Sequence, residues 1–200
     1  GSEIKSIAAY NKEILKTSLN SIASTGLFWS NIDDSTSFEE IKQLQPGSYL
    51  IYEKNKIKIK RYWNNPLSVK NKNSKSRNFI EILKDSLKRQ IHGEVGFSSY
   101  LSGGVDSSAI AYLLTEIQGS PIDTFSIQFE NKEYDESDAQ NKIQKIIKSN
   151  HSSLKISNID IVNNFEKVIN HCESHLFRTA PVPMFLLAKH VKNSGHKVVF

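Results

Sequence analysis

The chain has 200 residues, of which 38% are hydrophobic, 10% aromatic and 24% charged, and its formal net charge is +5. This composition excludes a disordered or collagen-like chain. No apolar stretch approaches the roughly 18 residues of a membrane helix, so we expect no membrane partner. The single cysteine, Cys172, excludes an internal disulfide framework and predicts a cytoplasmic protein. We expect Cys172 to be a core or interface residue of a helix.

The excess of positive charge is concentrated in residues 54–77, which read KNKIKIKRYWNNPLSVKNKNSKSR. Basic patches of this kind occur in proteins that bind nucleic acid. Here strand alternation and an exposed linker explain most of the charge, so we expect no nucleic-acid partner.

The pattern of apolar residues predicts a first region of mixed helix and strand. Its predicted elements are, in chain order, a helix over 4–19, a loop at 24–26, a helix or strand over 38–44, a turn at 46–47 and a β-hairpin of strands 48–52 and 56–62. Residues 64–77 are polar with little to bury, which predicts a linker. The expected domains are therefore 1–63 and 78–200.

The second region alternates between helix and strand. Its predicted elements are helix 79–91, strand 95–101, helix 107–117, strand 123–129, helix 137–148, strand 152–156, helix 159–172, helix 183–194 and strand 196–200. This alternation predicts an α/β domain with a parallel sheet and helices on both faces.

The stretch that points to chemistry is Leu101–Ser108, LSGGVDSS, where a predicted strand runs into a predicted helix. Gly103 and Gly104 allow the backbone to turn sharply and approach a ligand closely. Backbone N–H groups at such a helix start attract anions, phosphates above all, and Ser102 and Ser107 add hydroxyl donors.

Asp106 repels a phosphate unless a divalent cation lies between the two groups. Glycines, hydroxyls and an acid together therefore predict a site for a metal ion and a polyphosphate. A simpler interpretation is a Gly-Gly turn whose helix is capped by Asp106 or Ser107.

The motif SGGVDS resembles the PP-loop of the N-type ATP pyrophosphatases, which split ATP between its α and β phosphates. Other stretches resemble one branch, the glutamine-hydrolysing asparagine synthetases: TFSIQF followed by YDES, the final HLFRTAPVPMFLLAKHVKNSGHKVVF, and TSFEEIKQLQPGSYLIYEKNKIKIKRYW, which is similar to the tail of the family's glutaminase domain. The resemblance implies a PP-loop adenine nucleotide hydrolase-like fold behind a small α+β remnant of the glutaminase domain.

The resemblance also implies roles for individual residues. The implied roles are adenine or ribose packing for Leu101, binding of the β and γ phosphates for Ser102, Gly103, Gly104 and Ser107, magnesium binding for Asp106, adenine contact for Ile127, and contact with substrate or phosphate for Arg178. Ile127 is also explained as strand core, and Arg178 as a surface charge at a helix start. Asp135 and Glu136 are candidate metal or substrate groups, although we expect them to begin the following helix.

The resemblance implies an ATP-dependent ligase with Mg²⁺ that makes asparagine from aspartate through β-aspartyl-AMP, with ammonia from glutamine. Its partners are then these small molecules, with a homo-oligomer allowed. Two alternatives remain open: adenylation of another carboxylate in a β-lactam- or peptide-modifying enzyme, and nucleotide binding without catalysis. The family's N-terminal cysteine nucleophile is absent, and its second acidic loop would follow Phe200. We therefore expect a fragment that is inactive alone.

Overall fold

The computed structural model describes residues 1–65 and 78–200. The chain divides into two compact units, one of Gly1–Lys75 with Glu166–Arg178 and one of Ser76–Phe165 with Thr179–Phe200. Most of the predicted linker, residues 66–77, lies outside the described residues, so the domain boundary there stays a prediction. Among the described helices, none is long and apolar enough to span a membrane.

The first unit begins with short helices instead of the single helix predicted over 4–19. Its elements are α1 (Ile4–Ala8), a 3-10 turn (Lys12–Ile14), α2 (Leu19–Phe28), β1 (Ser48–Glu53) and β2 (Lys56–Arg61). The long-helix prediction is wrong because two polar side chains start new elements. Asn11 accepts a hydrogen bond from the Glu13 N–H (3.0 Å), and Ser18 accepts one from the Ser21 N–H (3.2 Å).

Two further predictions for this unit are wrong. Residues 24–26 lie inside α2, where Thr25 is buried, so this Ser-Thr-Gly sequence is helix instead of loop. Residues 38–44 form neither a helix nor a strand: the structure has only isolated bridges there, between Thr17 and Phe38 and between Ser35 and Lys42.

The β-hairpin prediction is confirmed. Strands β1 and β2 pair antiparallel, with Leu50 opposite Ile59. Lys54 and Asn55 in the turn both have positive φ (50° and 61°), as the tight hairpin turn that matches strand twist requires.

The second unit has the predicted α/β architecture. Its elements are α3 (Phe79–Gln90), β3 (Phe97–Tyr100), α4 (Val105–Gln118), β4 (Asp123–Phe129), α5 (Ser137–Ile147), β5 (Asn150–Ile156), α6 (Asn158–Cys172), which continues into the first unit, α7 (Pro181–Asn193) and β6 (Val198–Val199). The strands form one sheet in the order β5-β4-β3-β6, and every neighbouring pair is parallel. Cys172 is the last residue of α6, so its position on a helix is confirmed. It is exposed, so its placement in a core is wrong, while the interface alternative stays a prediction.

Two apolar clusters pack the sheet between its helices. One cluster joins Ile122, the residue directly before β4, to Leu87 of α3 and Leu114 of α4. The other joins Phe125 of β4 to Leu187 of α7. Ile122 and Phe125 are an odd number of positions apart, so their side chains point to opposite faces of the sheet. The expectation of helices on both faces is confirmed.

A small polar network lies between β4 and β5. The His151 ring bonds through Nδ1 to the Thr124 hydroxyl (2.9 Å) and through Nε2 to the Ser126 hydroxyl (3.0 Å), and Thr124 also bonds to Ser149 (2.8 Å). A neutral imidazole has one donor and one acceptor nitrogen, which matches a pair of hydroxyls. Burial lowers the pKa of His151 below its ordinary value, because the charged form is poorly solvated there.

This network predicts a loss of stability in mild acid. As the pH falls below about 6.5, the unfolded chain takes up a proton at His151 that the folded chain resists, so folding weakens. We expect the melting temperature to fall more between pH 7.5 and 5.5 in the native protein than in His151→Gln. The exposed His92 supplies the control, because His92→Gln should keep the native pH dependence. Equal slopes in the native protein and His151→Gln would contradict the assignment.

Candidate functional site

The candidate site lies where β3 ends, at the carboxyl edge of the sheet. The Leu101 N–H donates to the Phe125 carbonyl (2.8 Å), which extends the β3–β4 ladder by one residue. Leu101 is 1% exposed and anchors the start of the loop in the core. The loop then turns directly into α4. Ligands of open parallel sheets bind outside the carboxyl ends of the strands, so this is the edge at which a site is expected.

Gly103 makes the turn possible. It has φ +84°, a left-handed backbone conformation that residues with a Cβ atom rarely adopt. A Cβ atom at Gly103 would lie 2.8 Å from the Ala139 Cβ atom and 3.1 Å from the Gln140 backbone nitrogen. The first turn of α5 therefore packs directly against the loop backbone. Gly104 differs, since its φ is −74° and an added Cβ would meet only the Ser102 Oγ atom, at 3.3 Å.

The hydroxyls of the loop hold its donors in a small cluster. The Ser102 N–H donates to Ser107 Oγ (3.1 Å), the Gly104 N–H donates to Ser102 Oγ (3.2 Å), and the two hydroxyl oxygens are 2.8 Å apart. Each hydroxyl oxygen thus accepts a backbone N–H that the oxygens of a bound anion would accept instead. The oxygens of an anion could accept from these two N–H groups only if the hydroxyls turned away.

The start of α4 adds further donors. The first helical bond runs from the Ser108 N–H to the Gly104 carbonyl (3.1 Å), so the N–H groups of Val105, Asp106 and Ser107 have no partner within the helix. Such a helix start carries partial positive charge and favours anions. The N-cap residue is Gly104, so neither Asp106 nor Ser107 takes that position, which the simpler interpretation of the motif required.

Asp106 is the candidate metal ligand of the loop. It is exposed in the first turn of α4, and no donor among residues 1–65 and 78–200 bonds its carboxylate. The described part of the chain holds no group of three or more His, Cys, Asp and Glu side chains that could bind a metal. A single carboxylate fits Mg²⁺, because this ion commonly takes one or two carboxylates and completes its shell with phosphates and water.

Ile127 lies two residues beyond Phe125 on β4, and it is half-buried. Backbone groups alternate in direction along a parallel strand, and the Phe125 carbonyl points toward β3. The Ile127 backbone groups therefore point to the same side, at a level where β3 has already given way to the loop. The structure thus brings Ile127 next to the end of β3, while its proposed contact with adenine stays a prediction.

The remaining candidates are Arg178, Asp135 and Glu136. Arg178 belongs to the other compact unit, where its guanidinium carbon lies 4.3 Å from the centroid of the Trp29 ring. Asp135 accepts a hydrogen bond from the Ser137 hydroxyl (2.6 Å) and precedes α5, and Glu136 is the N-cap residue of that helix, as expected for carboxylates at a helix start. The roles of Arg178 in binding substrate or phosphate stay predictions.

The sequence analysis missed Gln140. This side chain is 3% exposed, and its Nε2 atom donates to the Ile127 carbonyl (3.0 Å). Its signal in the sequence is a polar residue three positions before Ile143 and seven before Ile147, on the inward face of an amphipathic helix.

A parallel sheet whose interior strand β3 runs into a Ser-Gly-Gly loop and a helix start defines a class of protein, the open α/β domains with a glycine-containing loop at the carboxyl edge. Comparison with known families gives the particular branch. The family described as asparagine synthase matches residues 78–200, and the chain belongs to that family.

Individual relatives agree with this assignment. Asparagine synthetase 3 (glutamine-hydrolysing) of Bacillus subtilis is 31% identical over 189 positions, covering 84% of this chain and 30% of the relative. Asparagine synthetase 1 of the same organism is 29% identical over 163 positions, covering 80% of this chain and 26% of the relative. The amidase chyE of Penicillium rubens is 27% identical over 191 positions, covering 84% and 28%. The chain thus spans less than a third of the length of these relatives.

Proposed function

We propose that this chain carries the ATP-binding part of an amide-forming ligase, and that the complete enzyme makes asparagine from aspartate with ammonia taken from glutamine. The observation that supports the proposal most directly is the loop of Ser102, Gly103, Gly104 and Ser107, whose backbone donors and hydroxyls cluster at the start of α4. Asp106 lies in the first turn of that helix, and no donor among residues 1–65 and 78–200 bonds its carboxylate. The names of the bacterial relatives support the choice of reaction.

The proposed chemistry has two steps. An oxygen of the aspartate side-chain carboxylate attacks the α-phosphorus of ATP, the bond from that phosphorus to the oxygen bridging to the β phosphate breaks, and pyrophosphate leaves with the electron pair. Ammonia then attacks the acyl carbon of β-aspartyl-AMP and loses a proton as AMP leaves. Adenylation is needed because a carboxylate oxygen is a poor leaving group.

The loop residues serve the first of these steps. The N–H groups of the loop and of the α4 start, with the Ser102 and Ser107 hydroxyls, bind the β and γ phosphates and stabilise the charge that grows on the departing pyrophosphate. Mg²⁺ held by Asp106 would neutralise part of the same charge. Leu101 is 1% exposed and holds the start of the loop in the core, and Ile127 supplies backbone groups at the edge of β4.

The acceptor is tested by supplying the complete enzyme with MgATP and one carboxylate at a time, and by measuring AMP release. Aspartate should support release, and glutamate, which is one methylene longer, should support much less. A second candidate function, adenylation of a different carboxylate, is favoured by the similarity to the Penicillium amidase. AMP release with another carboxylate and none with aspartate would favour that candidate. Absence of AMP with every acceptor would contradict adenylation.

A further inference from the structure

We infer that Gln140 is a positioning residue for the nucleoside part of the nucleotide: it holds the edge of β4 beside the phosphate loop. The inference rests on the proposed function, because it needs a nucleotide whose phosphates occupy the loop. Three observations carry it: the position of Gln140, the bond that it donates, and an acceptor atom that it leaves unused.

Gln140 connects the loop and β4. It is the fourth residue of α5, and its backbone nitrogen would lie 3.1 Å from a Cβ atom at Gly103. Its side chain reaches in the other direction and donates from Nε2 to the Ile127 carbonyl (3.0 Å). One residue therefore touches the phosphate loop through its backbone and the neighbouring strand through its carboxamide.

The bond to Ile127 is made where the sheet no longer provides a partner. The Phe125 carbonyl, two residues earlier, accepts from the Leu101 N–H, and Leu101 is the last residue before the loop turns away. The Gln140 carboxamide takes the position that a further residue of β3 would take. It thereby fixes the Ile127 peptide group at the carboxyl edge, where the part of a nucleotide next to its phosphates has to lie.

Gln140 carries an unfavourable contribution to the free energy of folding. Its Oε1 atom is buried and has no hydrogen-bond partner among the described residues. A buried acceptor without a partner destabilises the folded chain. An apolar side chain of similar size avoids that penalty, and all that it loses is the bond to the Ile127 carbonyl at the edge of the site. A glutamine at this position is therefore better explained by its effect on the site than by its effect on folding.

The inference predicts that loss of the Gln140 carboxamide weakens binding of ATP but not binding of pyrophosphate. The change is Gln140→Met, which keeps length and removes the donor. We expect its dissociation constant for MgATP to rise about tenfold, the effect of one lost positioning bond, while that for magnesium pyrophosphate stays within about twofold. Gln144→Met is the matched control on the same helix: Gln144 reaches toward the Ser149 carbonyl (3.5 Å), away from the loop, and should bind both ligands as the native protein does.

The measurement is calorimetric titration of the native protein, Gln140→Met and Gln144→Met, with folding checked by circular dichroism. Gln140→Leu replaces Gln140→Met if Gln140→Met does not fold. If the native protein binds neither ATP nor pyrophosphate, the proposed function itself is contradicted. Native-like ATP binding by the folded variant, or an equal loss for ATP and pyrophosphate, would overturn the inference alone, because Gln140 would then be neutral or would act only on the shape of the loop. Failure of both Gln140→Met and Gln140→Leu to fold would also overturn the inference, because Gln140 would then be needed for folding.

Discussion

Gly103→Ala should abolish nucleotide binding and weaken the fold at the same time. The methyl group would lie 2.8 Å from the Ala139 Cβ atom, and the residue would have to keep φ at +84°. The backbone strain alone costs about 1–2 kcal/mol, and relief of the collision requires the loop or α5 to move. Either movement separates the Ser102 and Gly104 N–H groups that converge on the proposed phosphate position.

Two other glycines separate the causes of this effect. Gly119 at the end of α4 also has a positive φ (71°), but an added Cβ would meet nothing within 4 Å. Gly119→Ala should therefore cost about 1 kcal/mol and leave binding unchanged. Gly104→Ala has ordinary φ and should melt near the native temperature. Thermal unfolding and MgATP titration measure both properties. Equal effects of the Gly103 and Gly119 changes would show that the contact with α5 is unimportant.

Asp106→Asn should abolish amide synthesis in the complete enzyme and leave glutamine hydrolysis intact. The substitution keeps the size of the side chain and removes the charge that we assign to magnesium. Because Asp106 is exposed and no described donor bonds it, folding should change little. A carboxylate that only favours the helix dipole is worth about 0.3–1 kcal/mol and would not affect the reaction.

Glu116→Gln is the matched control for this prediction. Glu116 is another acid of α4, near its far end, where it pairs with Lys84 at 2.6 Å. This exposed pair contributes little to stability, so the variant should synthesise asparagine at the native rate. Synthesis and glutamate release are measured in the same reaction. An Asp106→Asn enzyme that keeps most of its synthesis would reduce Asp106 to a helix-start charge.

Local backbone chemistry explains why the loop could be predicted from sequence. The glycine pair, the hydroxyls and the acid lie within Leu101–Ser108, and their order alone requires a sharp turn followed by a helix start. The alternation of helix and strand likewise predicts the parallel sheet, because such connections leave few other topologies. These parts depend on neighbours in the chain, which a sequence displays directly.

The parts that failed depend on competition between local interactions. The apolar spacing over residues 4–19 is helical, but the side chains of Asn11 and Ser18 offer the backbone alternative partners, and the helix is broken there. Thr25 shows the opposite effect. The sequence of residues 24–26 suggests a loop, yet Thr25 is buried within α2, so tertiary packing outweighs its weak helix propensity.

Gln140 could not be assigned from sequence for a different reason. Its importance depends on the Gly103 backbone and the Ile127 carbonyl, which lie 37 and 13 positions away in the chain and meet it only in the folded sheet. Periodicity marks position 140 as inward-facing but does not say what a polar side chain would meet there.

The central claim is that the Leu101–Ser108 loop binds a polyphosphate, and amide NMR tests it most directly. The chain would be labelled with nitrogen-15 and titrated with inorganic pyrophosphate in the presence of Mg²⁺. We predict saturable shifts of the Ser102, Gly103, Gly104 and Ser107 amides, because their N–H groups exchange hydroxyl partners or solvent for phosphate oxygens, while the amides of Gly93 and Gly195 stay in place. Unchanged loop amides at millimolar pyrophosphate, or shifts centred elsewhere, would contradict the account.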